Sequence, residues 1–295
     1  MAATTIDTTA PRTAPRIASR PADATPVRPQ TLGTAIRSEW IKLRTLRSTW
    51  VGLGSALAVL VCFGAIAAAV STGSVTSPGG GGGASDGAGF GGAGPVSTVL
   101  VGANFAVLLI GILGALAGAR EYGSRMIAAT VAAVPRRWQV VVAKATVFSG
   151  VAVVVSVIGV LGAFVAGMNV LQGAGAATVG LFDDGVLRQV LGMAAYITAV
   201  GLVGLGLGIL LRSVAGSIGA VVAAFMVLPA LAGALLPAGW DPILAYLPSS
   251  AAAAFTTVQA AGPDVLGGGA GALVLAAWVV VTVGAAIVSI TRRDA

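Results

Sequence analysis

The uncharged stretch TVLVGANFAVLLIGILGALAGA, residues 98–119, runs directly into the polar sequence Arg120-Glu121-Tyr122-Gly123-Ser124-Arg125. As an α-helix its 22 residues would rise about 33 Å, enough to cross the roughly 30 Å of hydrocarbon in a bilayer. The abrupt change at Arg120 marks where such a helix would meet water. This stretch predicts a membrane-spanning helix.

Five further apolar stretches of similar length occur in the chain. Hydrophobic residues make up 57% of the chain and charged residues 9%, whereas soluble domains have about 25% charged residues. The sequence therefore predicts an all-α membrane protein with six transmembrane helices. The other five are predicted near Trp50–Val70, Val141–Ala166, Gln189–Leu211, Val214–Leu236 and Gly271–Ile290, with Arg212 separating the fourth from the fifth.

The first 48 residues differ from the apolar region that follows. Residues 1–30, rich in Ala, Thr, Pro and Arg, cannot bury enough apolar surface to fold and are predicted to be a disordered tail. Residues 31–48 have apolar residues at helical spacing and basic residues elsewhere on the wheel, which predicts an amphipathic helix in the membrane interface. The alternative is that this helix simply extends the first span. Residues 49–291 then form the transmembrane domain.

The basic residues predict the orientation. Sixteen of the seventeen lie in the leader, the second-to-third connection, the fourth-to-fifth connection or the C-terminal end, and Arg188 alone lies in the other set of loops. Positively charged loops stay in the cytoplasm. Both termini, the connection 120–140 and the end 292–295 are therefore predicted to be cytoplasmic, in a multi-pass protein of the cell membrane. The same distribution explains the net charge of +7 without nucleic acid as a partner.

The remaining loops are predicted to face outside. Residues 71–97 form a Gly-rich loop and residues 167–188 a second loop. Residues 237–270 contain Trp240, Pro242 and Tyr246, which suits either a segment resting at the outer interface or a plain loop.

The sequence lacks the residues that metal binding, catalysis and nucleotide binding usually require. Histidine is absent, and Cys62 is the single cysteine, so the sequence predicts no metal site, no cofactor and no catalytic residues. The two lysines, Lys42 and Lys144, do not stand in the G-x-x-x-x-G-K-[ST] context that holds nucleotide phosphates. We therefore expect no enzyme activity in this chain, and any ATP hydrolysis in a partner.

Small residues recur at four-residue spacing in two spans. Gly114 and Gly118 form one G-x-x-x-G pair, and Gly204 and Gly208 form another. Such pairs let helices approach closely, and we interpret them as packing positions.

The connection 120–140 contains a short predicted helix. Ser124 suits its N-cap, Ile127 and Val131 lie on its apolar stripe, and Pro135 ends it. Basic residues Arg136 and Arg137 follow. Physical chemistry alone allows two interpretations equally: a helix on the membrane surface, or a helix that docks on a partner protein.

Two stretches carry a family resemblance. Arg37-Ser38-Glu39-Trp40-Ile41-Lys42-Leu43-Arg44 through Trp50, and Glu121-Tyr122 with Met126-Ile127, Pro135-Arg136-Arg137 and Ala143-Lys144, resemble the ABC-2 type permeases. These are the membrane subunits of ABC exporters. The resemblance implies a cytoplasmic ABC ATPase as partner and a second permease subunit, besides the lipid around the helices. It also implies a coupling segment that contacts the ATPase, with candidate contact residues Glu121, Ser124, Ile127, Val131, Pro135, Arg136 and Arg137.

The function expected from this resemblance is that of the permease subunit of an ABC transporter. The uncharged spans suit export of a hydrophobic or amphiphilic substrate. The alternative is a non-transporting membrane protein, such as a scaffold or sensor anchor.

Overall fold

The computed structural model describes residues 31–74, 94–123, 137–257 and 266–292, and the regular elements in these ranges are helical. A π-helical turn over Ala223–Val227 joins α7 to α8, and a 3-10 turn spans Ala238–Trp240. The helices are α1 (Leu32–Thr45), α2 (Arg47–Ser71), α3 (Pro95–Val99), α4 (Ala103–Gly123), α5 (Trp138–Gly173), α6 (Val186–Leu211), α7 (Val214–Val222), α8 (Leu228–Leu235), α9 (Asp241–Leu244), α10 (Pro248–Thr256) and α11 (Gly268–Arg292).

Six of these units are long and apolar enough to cross a membrane: α2, α4, α5, α6, the α7–π–α8 rod and α11, as counted over the described ranges. Each of the six predicted spans is thereby confirmed to contain a membrane-length helical unit, and the chain has the architecture of a multi-pass membrane protein. The largest difference is in α5, whose 36 residues extend about 54 Å. It begins before the predicted Val141 and continues past Ala166 to Gly173.

The leader helix α1 is separate from α2. Leu46 between them has extended backbone angles (φ −81°, ψ 100°), which a continuous helix does not allow. Thr31 caps the start of α1, because its hydroxyl accepts the Thr34 N–H and the Thr34 hydroxyl accepts the Thr31 N–H. The break excludes a straight extension of the first span, and α1 packs mainly against the start of α5.

The stretch predicted as one span at Thr98–Ala119 is divided. The short helix α3 ends at Val99, and α4 begins at Ala103 after a turn in which the Ala103 N–H donates to the Leu100 carbonyl (2.9 Å). A side chain on Gly102 would strike the backbone of Leu60 on α2, so glycine allows this turn to rest directly against α2. Hydropathy alone does not detect such a break, since both pieces are equally apolar.

Helices α4 and α6 make the tightest packing in the bundle. A Cβ on Gly114 would collide with the carbonyl oxygen of Gly201, and one on Gly204 with that of Gly111. Gly118 and Gly208 face each other one turn further along. The predicted packing role of both G-x-x-x-G pairs is confirmed, and the two pairs belong to one interface, which lets the backbones approach closely.

The fifth unit departs from regular α-helix geometry near a proline. The π turn Ala223–Val227 comes just before Pro229 in the first turn of α8. Proline lacks an N–H and its ring crowds the preceding turn, so the helix widens there. This rod is also the least buried of the six within the described part of the chain.

Residues 237–257 are not a plain loop. They form α9 and α10, and α10 buries Ala251, Ala252 and Phe255. Phe255 packs over Gly192 near the start of α6, while Ala251 lies against Gly271 on α11. The apolar composition of Pro248–Thr256 therefore reflects packing inside the bundle. Trp240 and Tyr246 before it are exposed, and their contact with the outer interface stays a prediction.

Candidate functional site at the basic end of the bundle

The described basic residues gather at one end of the helix bundle, which we call the basic end. Ion pairs, a hydrogen bond and a cation–π contact connect five helices at this end: α1, the start of α2, the end of α4, the start of α5 and the end of α6. Arg188 lies at the opposite end, at the start of α6. The basic residues assigned to the basic end are Arg37, Lys42, Arg44, Arg47, Arg120, Arg137, Lys144, Arg212 and Arg292.

A buried carboxylate lies at the centre of this end. Glu39 on α1 is 6% exposed. Its Oε1 accepts a hydrogen bond from the Lys42 ammonium at 2.6 Å, and its Oε2 accepts one from the Lys144 ammonium at 2.7 Å. The two lysines of the chain thus meet on one of its two glutamates. We call this group the Glu39 triad.

The two ion pairs of the triad differ in burial. The side chain of Lys144 is 11% exposed, whereas that of Lys42 is 39% exposed. Lys42 lies one helical turn after Glu39 on the same helix, where an ion pair contributes only a few tenths of a kcal/mol. Lys144 comes from α5 and is taken out of water together with Glu39, so removing either partner leaves a poorly solvated charge. The Glu39–Lys144 pair is therefore a buried charged contact between α1 and α5 that is costly to break.

A cavity of about 250 Å³ opens beside the triad. We call it the α1 cavity. Its polar end has Glu39, Lys42, Thr49, Arg120 and Lys144, and Arg120 also donates to the Ser48 hydroxyl at 3.1 Å. The rest of its wall is apolar and comprises Leu43, Leu46, Leu113, Leu116, Ala117, Val147 and Phe148.

The tight link between α6 and α7 also lies at the basic end. Arg212 adopts a left-handed backbone conformation (φ +52°), which allows the chain to reverse within two residues. Its guanidinium carbon lies 5.2 Å from the ring centroid of Tyr122, in the last turn of α4. This cation–π contact ties the α6–α7 reversal to the point where the predicted coupling segment begins.

The predicted contact residues are only partly described. Glu121 lies in the last turn of α4, but its side chain is outside the described part of the structure. Arg137 is half-buried in the turn before α5, and its carbonyl accepts the Val140 N–H at 3.2 Å. Ser124, Ile127, Val131, Pro135 and Arg136 lie outside the described residues, as do the predicted tail 1–30 and most of the loop 71–97. The structure thus fixes where the 124–136 segment leaves α4 and where it enters α5.

Sequence reasoning did not single out Glu39 as a site residue. The helical wheel of α1 carried the signal, because Glu39 falls between Ala35 and Leu43 in the middle of the apolar stripe. A carboxylate at such a position needs a buried partner. Lys144 offered a second signal, since it lies inside an otherwise uncharged apolar run.

The basic end offers positive charge, one shared carboxylate and an apolar cavity, and this set can hold an anion or an amphiphile. Within the described ranges, no three His, Cys, Asp or Glu side chains come together as metal ligands would.

No family model matches the chain, and no curated protein and no solved structure matches it either.

Proposed function

We propose that the chain is the permease subunit of an ABC-2 type transporter, an exporter of a hydrophobic or amphiphilic substrate driven by a separate cytoplasmic ATPase. One observation carries the proposal. The two stretches that resemble this family, one in the leader and one around the second-to-third connection, meet in space through the buried Glu39–Lys144 pair (2.7 Å).

The same pair suggests how movement of an ATPase would reach the bundle. The 124–136 segment, in which we place the ATPase contact, ends where α5 begins. Lys144 lies six residues beyond Trp138, about 9 Å along the helix. A displacement of the start of α5 would therefore move Lys144, which lies within two turns. The Glu39–Lys144 pair would transmit this movement to α1, and the wall of the α1 cavity would transmit it to α4.

The charge distribution supports an orientation with the basic end in the cytoplasm of a cell-membrane protein. Positive loops are retained on that side, and on this ground we propose that both termini lie there. In this orientation α1 lies at the inner interface. Its outward residues Trp40 and Ile41 are 43% and 52% exposed, which suits contact with the headgroup region.

The energy for transport is proposed to come from outside the chain. Neither lysine has a nucleotide-binding context, and both are engaged with Glu39. Lys144 is a charge near the start of a span, but it is held by a carboxylate at the bundle end rather than placed along a path through the membrane. A partner that hydrolyses ATP is the simplest supplier.

A second permease subunit is proposed on the resemblance, supported by the exposed apolar surface of the last two membrane-length units. Leu231 is 51% exposed and Val280 is 70% exposed. Lipid or a second subunit would cover these faces.

The test is co-purification with an ABC ATPase encoded beside the chain. The tagged chain, extracted in mild detergent, is expected to elute with the ATPase, and the eluate to hydrolyse ATP. An Ile127→Glu/Val131→Glu variant is expected to insert in the membrane but to lose the ATPase. A wild type that elutes without any ATPase favours the alternative, a non-transporting scaffold or sensor anchor.

A further inference from the structure

The α1 cavity has a polarity gradient along its length. Arg120 lies in the last turns of α4, and Leu113, on the same wall, lies seven residues earlier, about 10 Å deeper along the helix axis. On α5, Lys144 precedes Phe148 by one turn in the same sense. The charged groups therefore line the outer end of the cavity, and the leucine and phenylalanine side chains line its inner part.

The charges at the outer end favour an anion. Among the described residues that line the cavity, Lys42, Arg120 and Lys144 contribute three positive charges and Glu39 one negative charge, a net +2. Glu39 shares its two oxygens between the two lysines. The guanidinium of Arg120 lies at the same end and donates to the Ser48 hydroxyl at 3.1 Å. Arginine and lysine in this arrangement suit a phosphate oxygen.

The apolar inner wall argues against a small soluble anion as the occupant. Seven of the twelve lining residues are apolar, and a free phosphate would leave them uncovered. The volume of about 250 Å³ approaches the lower end of the range for small-molecule pockets, which begins near 300 Å³. That space accommodates a headgroup and the first part of one acyl chain.

We propose that the α1 cavity binds one anionic phospholipid of the surrounding membrane. Its phosphate lies against Lys42 and Arg120, and the upper part of one acyl chain lies against Leu113, Leu116 and Phe148. The lipid would fill the space between α1 and α4 that the Glu39 triad leaves open. This proposal does not depend on an ATPase partner, and the two can therefore fail separately.

The experiment is native mass spectrometry of the full chain in a non-ionic detergent with added phosphatidylglycerol or phosphatidylcholine. One phosphatidylglycerol is expected to stay bound, at clearly higher occupancy than phosphatidylcholine. Lys42→Gln/Arg120→Gln should weaken its binding by about fivefold for each cation removed. The charge-matched control is Arg44→Gln/Arg188→Gln, two exposed residues outside the cavity lining, and it should bind as the wild type does.

A second pair of variants tests the apolar part. Ala117→Phe places a ring in the cavity and should lower phosphatidylglycerol occupancy, whereas Ala277→Phe, on an exposed face of α11, should not. If Lys42→Gln/Arg120→Gln does not fold, the proposal is tested by the two phenylalanine variants and by the preference of the wild type for phosphatidylglycerol over phosphatidylcholine. Equal binding of both lipids, equal loss in the control variants, or displacement of the lipid by inorganic phosphate alone would overturn the proposal.

Discussion

Glu39 and Lys144 are joined by a buried ion pair of 2.7 Å although they lie 105 positions apart in the sequence. The pair connects the leader helix to the third membrane-length helix, on the side of the bundle where the second-to-third connection begins and ends. The predictions below on the stability of the leader and on the proposed coupling both concern this pair.

We expect Glu39→Ala to lower the free energy of unfolding by about 3 kcal/mol, because Lys144 then loses its buried counter-charge. In a double-mutant cycle with Lys144→Ala, the coupling energy should exceed about 1 kcal/mol. Denaturation of the purified chain in detergent, followed by circular dichroism, measures both quantities. Lys42→Ala serves as the control. Because the Lys42 side chain is more exposed, its loss should lower the free energy of unfolding by less than about 1 kcal/mol. Strictly additive effects of Glu39→Ala and Lys144→Ala would show that the pair does not hold α1.

The α4–α6 interface predicts a sharp difference between two glycines. Gly114→Ala should destabilise the bundle by about 1–3 kcal/mol, because the added methyl group meets the Gly201 carbonyl and the backbones must separate. Gly150→Ala is the matched control. It lies mid-helix in α5 with nothing within 4 Å of its Cβ position, so it should be neutral or stabilise by up to about 1 kcal/mol. Thermal unfolding of the two variants, side by side, gives the comparison. Equal effects would contradict the close approach of α4 and α6.

Topology is checked with exposed positions at the two ends. In a Cys62→Ser background, Phe182→Cys (87% exposed in the native side chain) should react with an impermeant maleimide on intact cells. Thr45→Cys, exposed at the last position of α1, should react only after permeabilisation, because the basic end is proposed to be cytoplasmic. The reverse pattern would invert the orientation, and labelling of both positions in intact cells would deny it.

The sequence was sufficient for the six apolar helices, because their length and lack of charge are properties of the chain alone. It also identified Gly114 and Gly204 as packing positions. It did not reveal that they face each other, since partner choice among apolar helices depends on tertiary packing. The break at Leu100–Gly102 was missed because the pieces on either side are equally apolar. The burial of Phe255 was missed because hydropathy does not distinguish a buried segment from a lipid-facing one.

The candidate site was predicted less completely. The basic connection 120–140 stood out by its charge. Glu39 and Lys144 belong to the two stretches that carry the family resemblance, but the sequence did not indicate that they are partners of each other. Their meeting depends on the turn at Leu46, which allows α1 to pack against α5 instead of continuing α2. No local sequence pattern around Leu46 predicts that turn.

Glu121 is expected to affect coupling more than stability. As a single acidic residue in a basic connection, it can gain only about 0–1 kcal/mol from surface ion pairs. Glu121→Gln should therefore leave expression and unfolding unchanged but abolish transport-linked ATP hydrolysis by the proposed complex. Asp184→Asn, at the opposite end, is the control and should retain activity. Full activity of Glu121→Gln would return this residue to a purely structural role.

The most direct test of the proposed function is ATP hydrolysis by the candidate ATPase, reconstituted with the chain in lipid nanodiscs. We expect the wild-type chain to bind the ATPase and to raise its hydrolysis rate. Ile127→Glu/Val131→Glu should abolish both effects by placing charge on the proposed apolar contact. Phe182→Glu/Leu187→Glu, which adds the same charge at the opposite end, should behave as wild type. The assignment as a permease subunit would be contradicted if the ATPase does not bind the wild-type chain and hydrolyses ATP at the same rate with and without it.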